Sequence, residues 1–398
     1  MKTILISFIG KGPTDEKANG YIKTQYKFDE RYISEETAFF GSALFRYLRL
    51  KGHDIDKWLI FGTGQSSWSE IVASIDYTLQ EKIEDLYLKV YEERDGISDV
   101  TLNEWQECLG KYIRGICLVK VDPLDYKIYA NKLLELLPDD EIKIVFDMTH
   151  AFRHMTALMA FSLMYVSCFK NFNGIDVYYG AFEMGDKYIK PAVKIDFINQ
   201  LFSLTTSYEV YRNSGYFPPL LKNMGIDNSE KTYFKLEMNR SPRKEINDLI
   251  NKIQSLEDND GYIKKAALSV EKEFYTMNNL KCLDQRMLER AKFFYEKKQY
   301  LIAMTLLYEA ILDKAARVYN IKRKLNEERN DYNSRVKKET KNKLKNIDIK
   351  LLATFNNLEY ARNSAVHGEP PNSTQNFLEV QGDFERLFFD SIKVYDIL

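Results

Sequence analysis

Only four histidines occur in the 398-residue chain, His53, His150, His154 and His367, so acid–base chemistry near neutral pH has a short list of carriers. One of them closes the run Glu359-Tyr360-Ala361-Arg362-Asn363-Ser364-Ala365-Val366-His367-Gly368, which reads as the end of a helix stopped by Gly368 and by Pro370-Pro371. Asn363 and His367 are four apart and share a helix face. Arg362, five before His367, lies roughly 140° round an ideal helix, but its side chain is long enough to bend into the same groove. A cation beside an imidazole suits cleavage of RNA by its own 2′-hydroxyl. That reaction needs a base for the hydroxyl, an acid for the 5′-oxygen and a cation for the charge on phosphorus, and no metal. The same spacing also accommodates an Arg362 that caps carbonyls at the helix end and a His367 that simply faces water.

The second setting is Asp147-Met148-Thr149-His150-Ala151-Phe152-Arg153-His154, where an apolar strand ends and a helix begins. In an open α/β sheet ligands bind at such strand ends, and the helix N-terminus offers free N–H groups to an anion. Two further readings stand beside this one. Asp147, His150 and His154 have spacing that a helix could turn into a metal-ligand set, or Asp147 and Thr149 merely cap the helix.

The elements that must position these residues fall into two halves. Short apolar runs at residues 3–9, 57–61, 116–121 and 142–146 alternate with helical stretches, the first helix spanning Ser34 to Leu50 with Ser34 as its cap and Gly52 as its stop. Strands alternating with helices predict a mostly parallel sheet, which residues 174–182 and 192–196 close as a β-hairpin. The apolar stretch LMAFSLMYVSCF is flanked by Arg153, His154 and Lys170 and falls short of a membrane span, so it is expected as a buried helix. After about residue 200 strand patterns stop and residues 242–360 take on helical spacing. The domains are expected at 1–200, 201–262 as an irregular, partly helical connector, and 263–398 as an all-α unit.

Composition bounds the function classes. Lys and Arg total 57 against 58 for Asp and Glu, so net charge favours no partner. The charge is uneven: residues 314–350 carry 13 basic and 5 acidic side chains, which fits phosphate attraction or a solvated helical face. Four scattered cysteines without a paired spacing exclude a disulfide framework or zinc knuckle. With no long apolar leader after Met1, a cytoplasmic protein away from membranes is expected.

Arg362-Asn363-Ser364-Ala365-Val366-His367 resembles the Arg, polar residue, then His signature of HEPN ribonuclease domains, and the helix Thr305–Ala316 with Glu309 resembles the earlier, acidic HEPN helix. Asp147-Met148-Thr149-His150-Ala151 resembles the Asp-x-Thr-His-Gly motif of a CRISPR-associated family whose N-terminal half is a CARF domain, a Rossmann-like sensor of cyclic oligoadenylates. Here Ala151 stands where that pattern has Gly, which bears on how closely the backbone approaches a ligand. The first strand with its glycine loop and residues 178–183 (YYGAFE) occur in the family's order.

The resemblance implies a fold of α/β plus all-α class, an N-terminal Rossmann-like CARF domain followed by a C-terminal helical HEPN domain. It implies a homodimer with a composite catalytic site from Arg362, His367, Asn363 and Glu309. Its product would be a 2′,3′-cyclic phosphate. The activator, cyclic tetra-adenylate or a close relative, would meet Gly10, Lys11, Gly12 and Thr14; Thr63, Gly64, Gln65 and Ser66; and Thr149, His150 and Arg153. The expected function is a cyclic-oligoadenylate-activated, metal-independent single-stranded RNA endoribonuclease of type III CRISPR defence, with no cofactor. His150 or Lys11 would assist if the sensor also cleaves its activator. A non-catalytic sensor that controls a partner and a metal-dependent phosphodiesterase at Asp147, His150 and His154 are the alternatives.

Overall fold

The structure, a computed structural model, describes residues 1–12, 14–15, 20–186, 188–238, 240, 242–256, 261–368 and 372–398. The chain divides into two compact units, Met1–Phe202 and Ser203–Leu398.

The strands of the first unit are β1 (Lys2–Ile9), β2 (Thr14–Asp15), β3 (Gly20–Tyr21), β4 (Gln25–Asp29), β5 (Tyr32–Ile33), β6 (Ile55–Gly62), β7 (Ile116–Lys120), β8 (Ile142–Asp147), β9 (Phe172–Gly180) and β10 (Ile189–Lys194). Eight of them form one sheet in the order β5-β4-β10-β9-β8-β1-β6-β7. Neighbours from β9 through β7 run parallel, while β10 returns antiparallel to β9. The helices are α1 (Phe40–Leu50), α2 (Tyr77–Gln80), α3 (Glu84–Glu92), α4 (Asp99–Gly110), α5 (Ile128–Leu136) and α6 (Arg153–Val166), with α7 (Asp196–Ser214) straddling the division.

The sheet is covered on both faces, which is why β1 reads as a continuous apolar run rather than an alternation. Ile4, Ile6 and Phe8 pack with Phe61, Phe146, Leu133 and Met159 on one face. Leu5 and Ile9 pack with Trp58, Ile60, Phe40 and Leu44 on the other.

Two local expectations are corrected. Ser34 does not cap α1, which begins six residues later. Its Oγ instead accepts the Tyr26 N–H at 2.8 Å and donates to the Glu35 carbonyl, serving β4 and β5 at one end of the sheet, which are too short to show a pattern. Nor is α6 buried all round. Met155, Met159, Leu163 and Val166 face the core, whereas Phe161, Tyr165 and, just beyond the helix, Phe169 are 70%, 54% and 62% exposed.

The second unit is helical: α8 (Pro218–Asn223), α9 (Glu230–Glu237), α10 (Arg243–Gln254), α11 (Gly261–Asn278), α12 (Leu283–Glu296), α13 (Tyr300–Val318), α14 (Arg329–Ile347), α15 (Ile349–His367), α16 (Gln375–Glu379) and α17 (Gln381–Ile397). The segment expected as an irregular connector is more regular than its composition suggests. Pro218 and Pro219 open α8, where a missing N–H costs nothing. In α10, Ile246, Leu249, Ile250 and Ile253 are buried at helical spacing and share a core with Leu220, Leu221, Val270 and Phe274. A separate core joins α12, α13, α15 and α17 through Ala291, Leu307, Ile311, Phe355, Leu358, Ala361 and Phe388. Among the described residues, no helix is long and apolar enough to cross a membrane, and the four cysteines are free thiols.

Candidate functional site

Strands β6, β1 and β8 are neighbours and run parallel, so the loops that follow Gly62, Ile9 and Asp147 lie side by side at one end of the sheet. The first two loops are tied together. Ser66 Oγ donates to the Ile9 carbonyl at 2.6 Å and accepts the Thr63 N–H at 2.9 Å. Ser67 donates through its N–H and its Oγ to the Gly10 carbonyl at 2.9 and 2.7 Å. Trp68 Nε1 donates to the Thr63 carbonyl at 2.9 Å. A side chain at Gly62 would meet Trp68, Ile9 and Ser66 within 3 Å, so the tight loop requires glycine there.

Within this frame the residues expected to touch a ligand separate into two kinds. Ser66 is buried and Thr63 half-buried, and both serve the loop itself. Lys11, Gln65 and Arg153 are exposed, Lys11 being 3.3 Å from Asp95 Oδ1, and Gly64 has open space where a Cβ would stand. Gly10 and Gly12 are close against Ala151 and the Tyr21 ring. Thr14 lies in β2, opposite Tyr21, and its side chain and Pro13 fall outside the described residues.

The Asp147 loop is built from one buried and two half-buried polar side chains, Asp147, Thr149 and His150. Asp147 is fully buried; its Oδ1 accepts the Thr149 N–H at 2.9 Å, and its Oδ2 has no hydrogen-bond partner. Burial pushes its carboxyl up to about 7, against the opposing contributions of Thr149 and Ser7. Thr149 Oγ1 accepts the Gly180 N–H at 2.8 Å, at the end of β9. His150 Nε2 accepts the Phe40 N–H at 3.0 Å, which caps the first turn of α1 from outside. Burial pushes this imidazole down to about 4, so it is neutral with its proton on Nδ1. His154 is exposed and its Nε2 lies 2.8 Å from the Pro123 carbonyl. Asp147, His150 and His154 thus turn to separate partners, and among the described residues no group of three His, Cys, Asp or Glu side chains is placed to hold a metal ion.

Ala151 has a φ of +99°, a conformation that strains any residue with a Cβ. The structure thus gives a physical reason for glycine at this position. Ala151→Gly is expected to relieve strain worth more than the added chain entropy, a net gain of about 1 kcal/mol. A melting temperature raised by a few degrees would register it; an unchanged or lower one would contradict the strain.

In the helical unit, α15 ends at His367 because Gly368 adopts φ +70° and returns its N–H to the Ser364 carbonyl. Pro370 and Pro371 lie outside the described residues. Arg362 bends toward His367 as its length allows. Nη1 donates to Asn363 Oδ1 at 2.9 Å and lies 3.1 Å from His367 Nε2. A guanidinium only donates, so Nε2 accepts and the imidazole proton sits on Nδ1. Nη2 stands 3.6 Å from Glu309 Oε1 on α13, and burial raises the Glu309 carboxyl above its ordinary range while Arg362 opposes the rise. The four residues expected to form the site converge, with His367 exposed at its rim.

Two arrangements near these residues were not read from the sequence. Tyr308, beside Glu309, places its ring 5.3 Å from the Arg362 guanidinium carbon. Glu359, 3% exposed, pairs with Lys337 and Lys341 at 2.5 and 2.6 Å; its place three residues before Arg362 on the same helix was the only hint. Several cations of the basic stretch are therefore structural. Arg317 pairs with buried Asp284, Arg335 with Glu327, and Lys314 donates to the Tyr395 carbonyl. Lys338, Lys345 and Lys350 remain exposed.

Residues 4–183 match the family described as CRISPR system endoribonuclease Csx1, CARF domain. The N-terminal unit contains a CARF domain. The chain is also similar to the CRISPR-associated protein MJ1674 of Methanocaldococcus jannaschii, with 22% identity over 358 residues. That alignment takes in 81% of this chain and 55% of the relative, so the chain spans about half the length of the protein it matches. The CARF match includes all three loops at the strand ends and stops before the helical unit.

Proposed function

We propose that the chain is a cyclic-oligoadenylate-activated, metal-independent endoribonuclease of type III CRISPR defence, with its CARF domain as sensor and its helical unit as a HEPN nuclease. The observation that carries the nuclease reading is the contact of Arg362 with His367 at 3.1 Å, with Asn363 and Glu309 fixing the guanidinium from two sides. In the proposed reaction the 2′-hydroxyl oxygen bonds to phosphorus and the bond to the 5′-oxygen breaks. A base removes the hydroxyl proton and an acid returns one to the departing oxygen. His367 supplies the proton-transferring group. Arg362 neutralises the charge that builds on the phosphoryl oxygens. The product is a 2′,3′-cyclic phosphate and a 5′-hydroxyl.

A homodimer would supply two such motifs to one cleft. The exposed aromatics Phe161 and Tyr165 of α6, with Phe169 just beyond it, favour a self-associating CARF face, because apolar surface of this kind marks contact sites. In the sensor, exposed Lys11, Gln65 and Arg153 together with the N-terminus of α6 would receive phosphates, and cyclic tetra-adenylate fits a two-fold pocket. Activation requires that the ligand bind the cutting-competent arrangement more tightly than the resting one.

The test is to incubate purified protein with labelled single-stranded RNA in EDTA, with and without a panel of cyclic oligoadenylates. Chelator-resistant cutting stimulated by one ring size is the expected result. Ligand binding without cutting would leave a sensor alone, and cutting abolished by EDTA would move the chemistry elsewhere.

A further inference from the structure

The guanidinium of Arg362 is held on an aromatic platform as well as by hydrogen bonds. Tyr308 is only 6% exposed, and its ring lies beneath the Arg362 guanidinium at 5.3 Å. Phe355 of α15 stacks on that ring at 5.6 Å with an interplanar angle of 15°, so α13 and α15 together fix the plane on which the cation rests. Arg362 Nε is buried and has no hydrogen-bond partner, which means that hydrogen bonds alone do not account for the placement of this charge. A ring face offers a cation the electrostatic compensation that the missing bond does not, and the contact strengthens where water is excluded. Asn363 then holds Nη1 and Glu309 faces Nη2, and Nη1 reaches His367.

We propose that Tyr308 is a positioning residue for the nuclease site: its ring sets the height and plane of the Arg362 guanidinium, and the ring face rather than the hydroxyl performs this role. The inference rests on the nuclease reading above. A charge displaced by an ångström loses much of its leverage on a developing phosphoryl charge while still attracting RNA, so the loss falls on turnover rather than on substrate affinity.

Tyr308→Leu and Tyr308→Phe are to be compared with wild type and Arg362→Ala in activator-saturated cleavage of labelled single-stranded RNA, with thermal melting of each variant. Tyr308→Leu is expected to lower kcat about ten- to a hundredfold with KM within about twofold, and Tyr308→Phe to stay within about threefold of wild type. If Tyr308→Leu falls below the assay temperature in melting, Tyr308→Phe and Tyr308→Trp carry the test, both expected to retain turnover because both present a ring face. Normal turnover in Tyr308→Leu beside an inactive Arg362→Ala would overturn the platform and leave the nuclease reading intact. So would a Tyr308→Phe variant as impaired as Tyr308→Leu, which would assign the role to the hydroxyl. RNA cutting that survives in Arg362→Ala would remove the nuclease site and the platform with it.

Discussion

His367→Ala is expected to reduce RNA cleavage by about a thousandfold or more, the range over which a positioned acid–base group acts, while the affinity for a cyclic oligoadenylate stays near wild type. The basis is geometric. His367 is exposed at the end of α15, and its Nε2 faces Arg362. Its removal leaves the apolar core around Phe355, Leu358 and Ala361 untouched, so the variant should fold and melt like the parent. Parallel measurement of single-turnover cleavage and activator binding separates the two units. Cleavage that persists at the wild-type rate would place the active site elsewhere, and a matching loss of activator binding would mean that the substitution acts through the fold.

The second large effect concerns pH. Asp147 is held up to about 7 in the folded protein, against an ordinary value near 4. The native state therefore binds the extra proton between these limits, and Asp147 removes stability as the pH rises from about 4 to 7. His150 works in the opposite sense. Its imidazole is held down to about 4, so the unfolded chain binds the extra proton and stability is lost as the pH falls from about 6.5 toward 4. The two contributions, on the order of 4 kcal/mol for Asp147 and about 3 kcal/mol for His150, oppose one another across most of this window. Asp147→Asn should leave a CARF unit that gains stability from pH 4 to 6.5, and His150→Gln one that loses stability from pH 4 to 7. Urea unfolding at a series of pH values reads the slopes directly. Slopes of the same sign in the two variants would show that these groups do not titrate as their burial requires.

The strands that carry the three loops of the candidate site were legible because a sheet covered on both faces writes itself as short apolar runs ending in glycine or Asp147. The convergence of Arg362, Asn363 and His367 was legible from spacing on one helix. Glu309 lies 53 positions before Arg362, and only a resemblance joined them. What the sequence concealed depends on long-range contact. Strands β4 and β5 are only five and two residues long, and β4 pairs with β10, more than 160 residues away. His150 reads as a group available to a ligand, yet its lone pair is taken by the backbone of α1, 110 positions earlier. The helices of 218–254 looked like a linker because each is short and amphipathic, and their common core exists only once they meet α11.

The serine ties between the loops after β1 and β6 have a bearing on any molecule that lands there. A loop that is free in solution must give up conformational freedom when it closes on a ligand, at a cost of roughly 1 kcal/mol or more for each residue that becomes ordered. Here Ser66 and Ser67 hold the backbone at Ile9 and Gly10 before any ligand arrives, so that entropy is lost once, on folding. Recognition at this end of the sheet then begins from a surface already set in shape, and contacts made there pass more fully into affinity.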